Sequence, residues 1–547
     1  MKRIISIVII IALLISALAT AGYFLIDGVK LWVNSVLGLV PEINGKDITD
    51  YKIVYDADGL DYNLRAAEYI RDSIREACGV TVEIVDDTTA ESEREIVVGE
   101  TSRQISAELN EATEGVQFSM LAKDGTVALE GDFFVIAAAA YYFVDTYVLG
   151  GDDVTVPDGV TVREPIRKEA KNLIMLIGDG MGVYQTRLFE YMTNTSDFSD
   201  GEDIFYGYML PYLGYSRTMS YDYKDEADRK NATDSAAGGT ALSTGYKTHN
   251  DYLGLDKNQG KLQNLTELAA ELGKATAIVS TDKDTGATPS SFTTHTLSRD
   301  DTTEIIQGQH ALTEKYGTII ECTNRTNCNK RSSEAVEEDI TRILGQLDGD
   351  EEGFFIMYEE AHIDKKGHSH DVDSTFLALI RFNQAIALFM EYAFYNPDTA
   401  VLITADHETC GLYPNEDGVL EYTEEYHTRD DVPVFAWGCG MEQIDGKTVE
   451  NIEIAHLFAS LMGVDDFGDR SGGWYDDIYG EGGNTEDNPG TDNPGTDDPG
   501  TDDPGTDDPG TDNPGTDDPG TDNPGTDDPG EDNPGSGGGD LPFVPAN

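Results

Sequence analysis

Unbroken apolar runs alternate with polar, periodic stretches through much of the chain, and the two kinds predict different elements. Four runs stand out: NLIMLI at Asn172–Ile177, ATAIVS at Ala275–Ser280, GFFIMY at Gly353–Tyr358 and AVLIT at Ala400–Thr404. Strands of this kind are buried on both sides, so they predict a largely parallel sheet with helices covering each face. Each run leads toward chemistry: Gly178-Asp179-Gly180, then Thr285-Gly286-Ala287-Thr288, Glu359, and Asp406-His407. In open α/β sheets the ligand site lies beyond the carboxyl ends of the strands. Acids, an imidazole and a hydroxyl are therefore expected along one edge.

The pattern divides near Arg163–Lys171, with a larger domain expected over residues 170–470. Upstream, YKIVYDA, VTVEIVDD, REIVVGE and the pair FSMLAK and TVALEG read as strands, while LRAAEYIRDSIREAC and FFVIAAAAYYFVDTYV read as helices. They predict a small α/β accessory domain over 47–164. It is similar to the small α/β domain that precedes catalytic domains in some bacterial surface glycosidases, which implies a structural or carbohydrate-binding role. The segment holds no histidine, since the first in the chain is His249.

The two ends follow other rules. MKR followed by the apolar run Ile4–Ile26, with Ala19-x-Ala21, reads as a secretory signal or an uncleaved membrane anchor over 1–26. Export is expected either way. Between Glu486 and Gly535 the unit T-D-D/N-P-G, with Glu for Thr at either end, repeats ten times. Such a sequence buries too little apolar surface to offset chain entropy, so 484–547 is expected to be a disordered, self-repelling tail. The formal net charge is −66, and the tail explains only part of it. That balance argues against nucleic acid and anionic membrane surfaces as partners. Five cysteines form no regular framework. Cys322 and Cys328 stand close enough in sequence to pair, and Cys78, Cys410 and Cys439 read as small buried side chains.

Taken singly, the strand-end residues have ordinary explanations: a turn aspartate at Asp179, a cap at Asp406-His407, a solvated loop at His362–His370. Their number shifts the reading. Asp364 and His368 share a helix face if their segment is helical, as two ligands of one ion would. Zinc favours nitrogen with carboxylate oxygen, magnesium an all-oxygen shell, and this half of the chain supplies both. Such a set suits displacement at phosphorus between two ions about 4 Å apart. NATDSAAGGTALSTGYKTHN at Asn231–Asn250 offers Ser235 among small residues; with no histidine beside it in sequence, metal coordination is one route to a reactive alkoxide. If a helix begins there, its first amides would face a phosphoryl group.

Six motifs then occur in one order: GDGMG at Gly178–Gly182, TDSAAGGTALSTG at Thr233–Gly245, GATPSSFTTHTLSR at Gly286–Arg299, EEAHIDKKGH at Glu359–His368, TADHETCG at Thr404–Gly411 and HTRDDVPVFAWG at His427–Gly438. In these the chain resembles the alkaline phosphatase family. The resemblance implies a three-layer α/β sandwich and hydrolysis of phosphate monoesters through a phosphorylated Ser235, with two zinc ions and one magnesium ion. It implies Asp364, His368 and His427 as the first zinc site and Asp179, Asp406 and His407, with Ser235, as the second. Asp179, Thr288 and Glu359 would hold magnesium. Arg299 would clamp two phosphate oxygens, and Lys365 would reach phosphate through water. Two departures are visible: Gly286 stands where the family usually carries Asp or His, and Gln309–Glu352 is short and lacks the family's glycine-rich strand. A phosphodiesterase or sulfatase of the same superfamily, or an inactive surface adhesin with glycan contact through 47–164, remain as alternatives; homodimer formation stays open.

Overall fold

A computed structural model of the protein describes residues 42–43, 45–57, 59, 61–109, 115–149, 156, 159–195, 204–222, 232–323 and 333–472. The apolar start, the repeat tail and Cys328 lie outside them, as does the side chain of Cys78. The described residues group as one compact unit.

The central sheet has eight strands, in the order Ile319–Cys322, Ala275–Ser280, Phe354–Glu360, Asn172–Gly178, Thr399–Thr404, Val432–Trp437, Tyr212–Arg217 and Thr448–Glu450. Among them Val432–Trp437 alone runs against its neighbours. The four apolar runs form adjacent parallel strands at its middle. Their side chains alternate between two cores. Ile174, Leu176, Ile356, Val401 and Ile403 join one apolar cluster; Leu173, Met175, Ile177, Phe355, Met357, Ala400 and Leu402 join the other. A strand's period of two thus feeds both faces at once. Helices Ser333–Leu347 and Val372–Tyr395 supply the first cluster, and helices Ser235–Thr244, Leu265–Glu271 and Asn451–Leu461 the second. The fold is the three-layer α/β sandwich expected. Val372–Tyr395 is long and apolar enough to cross a bilayer, yet it packs here as the core helix.

The upstream segment forms a second sheet of six strands, in the order Glu83–Asp86, Lys52–Tyr55, Glu95–Val98, Thr126–Glu130, Phe118–Lys123 and Gly159–Arg163. The first four are parallel and the last two alternate in direction. Its helices, Asp61–Cys78 and Ile136–Phe143, bury residues in the same apolar cluster as Val372–Tyr395. Phe134 packs on Tyr206 and Phe394 with ring centroids 5.4 and 5.6 Å apart, and Tyr69 stacks on Tyr395 at 4.3 Å. Arg65 donates to Glu391 across 3.1 Å. The two sheets therefore share one apolar core.

Some elements escaped the pattern, for physical reasons. Gly159–Arg163 is exposed at four of its five positions, so no apolar alternation marks it. Ile319–Cys322 is a half-buried edge strand of four residues inside the short Gln309–Glu352 segment. Cys410 is buried as expected, but Cys439 is exposed, because it follows the Val432–Trp437 strand in the turn between Gly438 and Gly440, both at positive φ.

Candidate active site

The sheet register brings the strand-end residues together. Gly178 pairs with Glu360, and Ile177 with Glu359 on one side and Thr404 on the other. Asp179, Glu359 and Asp406 therefore emerge on one edge. The chain then turns at Gly180, whose φ of +77° suits glycine. A Cβ at that position would lie 2.4 Å from Thr409 Oγ1 and 2.9 Å from Asp364 Cα. The bare turn lets the Gly180 N–H donate to Asp406 Oδ1 at 3.1 Å.

Two groups of ligand-type atoms converge there. In the first, Asp364 Oδ1 lies 3.3 Å from His368 Nε2 and 3.4 Å from His427 Nε2, and those two nitrogens are 3.0 Å apart. Asp364 lies in the short helix His362–Gly367, which His368 closes, so the expected shared face is real. In the second, His407 Nε2 lies 3.6 Å from Asp179 Oδ1 and 3.3 Å from Asp406 Oδ2. The His407 and His427 rings stack with centroids 3.6 Å apart, so the groups are adjacent. His427 is oriented from behind: its Nδ1 donates to the Thr233 carbonyl at 2.7 Å, which turns Nε2 toward Asp364 and His368.

These residues fit metal ions on an observation independent of their kinds. Asp179 Oδ1, Asp406 Oδ2 and Thr288 Oγ1 are buried and make no hydrogen bond among the described residues. Buried polar atoms are normally paired, and three orphans in one site point to a missing partner. The titration behaviour agrees. Burial, then the charges of Asp406, Asp364 and Glu359, pushes the Asp179 carboxyl well above its ordinary range. Burial likewise lifts Asp406 to about 6 and Glu359 to about 7. Asp364 goes the other way: burial would raise it, but the His427 hydrogen bond and the His427 charge hold it well below. Burial, aided by His427, keeps His407 neutral, the form in which it ligates. Bound cations would reverse the cost of crowding these carboxylates.

Ser235 opens the helix Ser235–Thr244, capped by Asp234, whose Oδ1 accepts from the Ala237 N–H at 2.9 Å. Ser235 Oγ stands 3.2 Å from His407 Nε2. The fold supplies the histidine that sequence neighbours do not. Small residues make this approach possible: a Cβ on Gly238 would lie 2.6 Å from the Asp406 carbonyl, and one on Gly239 2.4 Å from Ser291 Oγ. Arg299 reaches the same mouth, held by Asp234 Oδ2 at 3.0 Å. Beside them the Ser280 hydroxyl donates to Glu359, and Thr288 lies in the short helix that Gly286 caps without a side chain. Lys365 is gripped by Asp282.

Three participants were not singled out in the sequence. Asp234 positions Arg299, Asp282 holds Lys365, and Thr409 donates to Asp364 Oδ1 at 2.5 Å while lying 3.4 Å from His407 Nδ1. Asp282 follows a strand end, as the chosen acids do, and Thr409 sits inside TADHETCG.

Known proteins similar to this chain are alkaline phosphatases. The family model for alkaline phosphatase matches residues 170–330 and 321–422, a span that holds each of the site residues above except His427. Alkaline phosphatase 3 of Bacillus subtilis is 29% identical over 312 residues, covering 47% of this chain and 65% of the relative, so the chain spans just under two thirds of that protein. Alkaline phosphatase 4 of Bacillus subtilis is 27% identical over 341 residues, covering 53% and 73%. Among solved structures, the alkaline phosphatase of the Antarctic bacterium TAB5 is 24% identical with a TM-score of 0.45, covering 54% of this chain and 99% of that one. On the family-model match and these relatives, the region 170–422 is a domain of the alkaline phosphatase family.

Proposed function

We propose that the protein hydrolyses phosphate monoesters to an alcohol and inorganic phosphate through a phosphoserine at Ser235. The observation that carries this reading is Ser235 Oγ at a helix start, beside two groups of ligand atoms whose buried oxygens lack partners. Asp364, His368 and His427 would hold one zinc ion, and Asp179, Asp406 and His407, with Ser235, the other. Asp179, Thr288 and Glu359 offer oxygens alone and suit magnesium. Bound ions would supply Lewis acidity, lowering the pKa of the serine hydroxyl and of water and offsetting charge on the leaving oxygen.

The chain's own residues do the rest. Ser235 Oγ forms a bond to phosphorus as the ester P–O bond breaks, and the departing oxygen leaves as the alcohol once protonated. Water then attacks the phosphoserine, releasing inorganic phosphate and restoring the hydroxyl. The amides at the start of Ser235–Thr244 face the transferring group, whose charge they stabilise. Arg299 leaves Asp234 to take two phosphate oxygens in a fork that lysine cannot reproduce. Lys365, on its Asp282 support, approaches phosphate through water. The basic start and apolar run within Met1–Ile26 direct the enzyme out of the cytoplasm.

The test is an assay of the full chain with zinc and magnesium on a chromogenic phosphomonoester and a diester, with and without chelator, beside Ser235→Ala. Monoester turnover that needs metal and disappears in Ser235→Ala is expected. Metal-dependent turnover that survives the substitution, or preference for the diester, overturns the reading.

A further inference from the structure

Glu359 turns to the active site, but the carboxylate beside it in sequence, Glu360, serves a different group of residues. It ends the strand Phe354–Glu360 and is fully buried. Strand alternation sends it away from the face that Glu359 takes. The Thr281 hydroxyl, the His362 N–H and His362 Nδ1 each lie 3.1 Å from Glu360 Oε1. Arg381, on the helix Val372–Tyr395, stands 3.7 Å from the same oxygen. A carboxylate oxygen accepts, so Nδ1 donates to it. Thr281 is fixed in turn: its oxygen accepts from the Ala361 N–H at 3.0 Å, and its proton goes to Glu360. His362, 3% exposed, is thus anchored at one end of its ring. The other end faces Asp282, with Nε2 3.9 Å from Oδ1, an electrostatic contact too long for a hydrogen bond. Asp282 Oδ2 grips Lys365, and the Asp282 N–H donates to Ser280 Oγ at 3.2 Å.

Arg381, Glu360, His362, Asp282 and Lys365 therefore form one continuous series of contacts, from the core helix to the mouth of the active site. Taking a carboxylate out of water is costly unless donors surround it, and no step of the proposed reaction uses Glu360 or His362 directly. Lys365 is 45% exposed and ends a long, rotamer-rich side chain, so its ammonium needs support to hold one position. His362 and Lys365 are three apart in the helix His362–Gly367, so both lie on the side that meets Asp282. We propose that His362 is a positioning residue: anchored by Glu360, it sets the Asp282 carboxylate, which in turn presents Lys365 to phosphate. The inference rests on the reading of Lys365 as a phosphate-binding group. His362 touches no substrate and acts only through Asp282.

The test uses the full chain loaded with zinc and magnesium, titrated calorimetrically with inorganic phosphate and assayed on a chromogenic monoester. His362→Asn keeps a donor beside Glu360 but ends short of Asp282, whereas His362→Gln places its amide where Nε2 stands. Expected for His362→Asn is phosphate binding weaker by about fivefold, with KM rising more than kcat falls and the unfolding midpoint unchanged. His362→Gln restores most of the affinity. In a Lys365→Ala background His362→Asn costs nothing further, because the two residues act as one unit. Wild-type phosphate affinity in His362→Asn, or an equal loss with and without Lys365, overturns the proposal. Should His362→Asn fail to fold, Glu360→Gln, which keeps the shape, is expected to show the same dependence on Lys365; a loss independent of Lys365 overturns the proposal too. Phosphate binding with this pattern but no monoester turnover by the wild type would sink the Ser235 reaction and leave the positioning intact. No phosphate binding by the wild type would sink both.

Discussion

Thr409 ties the two groups of ligand atoms together with a single hydroxyl. Its one proton goes to Asp364 Oδ1, so at His407 Nδ1 it can only accept. That fixes the His407 tautomer with Nε2 unprotonated toward Asp179 and Asp406. Thr409→Val keeps the shape and deletes both contacts. Activity and metal affinity are expected to fall about 10- to 100-fold, as for other groups that orient ligands, with Thr409→Ser retaining most of both. Turnover and zinc titration measure this, and wild-type behaviour in Thr409→Val would count against the bridge. Gly180→Ala is expected to be worse, since its Cβ would strike Thr409 and Asp364 and the position holds a positive φ. At this scale the sequence was most legible where a residue ended an apolar run. Asp179, Glu359 and Asp406-His407 could be placed on one edge by topology alone. Thr409 could not, because its meaning lies in distances to Asp364 and His407 that no spacing encodes.

The element that carries the proposed nucleophile is the helix Ser235–Thr244. By intrinsic propensity two adjacent glycines weaken it, each by roughly 1 kcal/mol relative to alanine. In a solvent-exposed helix Gly238→Ala would therefore stabilise. Here the added methyl meets the Asp406 carbonyl backbone at 2.6 Å, and backbone cannot swing aside. The expected result is a lower melting temperature and a loss of turnover together, read from one thermal scan and one assay; a stabilised, fully active Gly238→Ala would refute the packing role. A helix starting at Ser235 was open to reading from the small-residue motif, and it forms. The approach of His407 to Ser235 was not, for the two are 172 positions apart. Edge strands such as Gly159–Arg163 were invisible for the opposite reason: exposed on both faces, they carry no apolar period.

Across the molecule, the change of pattern near Arg163–Lys171 marks a real division between sheets, but each half reads as complete in sequence. What the pattern could not show is that the accessory helices and Val372–Tyr395 bury their apolar faces against each other. A chain lacking residues 1–164 is thus expected to be insoluble or aggregated, checked by size-exclusion chromatography; a soluble, active truncation would contradict a shared core. Glu391 offers a finer probe of the joint. Burial raises its carboxyl from 4.5 to about 7, with Arg65 opposing and Glu337 adding. A folded carboxyl with a raised pKa contributes stability in full below the unfolded value, and that contribution drains away as pH rises toward the folded one. The window is therefore pH 4.5 to 7, with a swing on the order of 3 kcal/mol. Glu391→Gln should flatten the stability slope across that window in denaturant titrations, and an unchanged slope would assign it elsewhere. The joint also dictates a timetable. Arg65 and Glu391 are 326 positions apart, so when the chain emerges from the ribosome the accessory sheet must wait for most of the remaining sequence before its apolar flank is covered. Nascent chains arrested shortly after Lys171 should be cut by protease within Phe133–Val148, while protection there would show that the accessory half matures alone. Until residue 395 appears, the apolar flank of the upstream sheet lacks the helix that covers it.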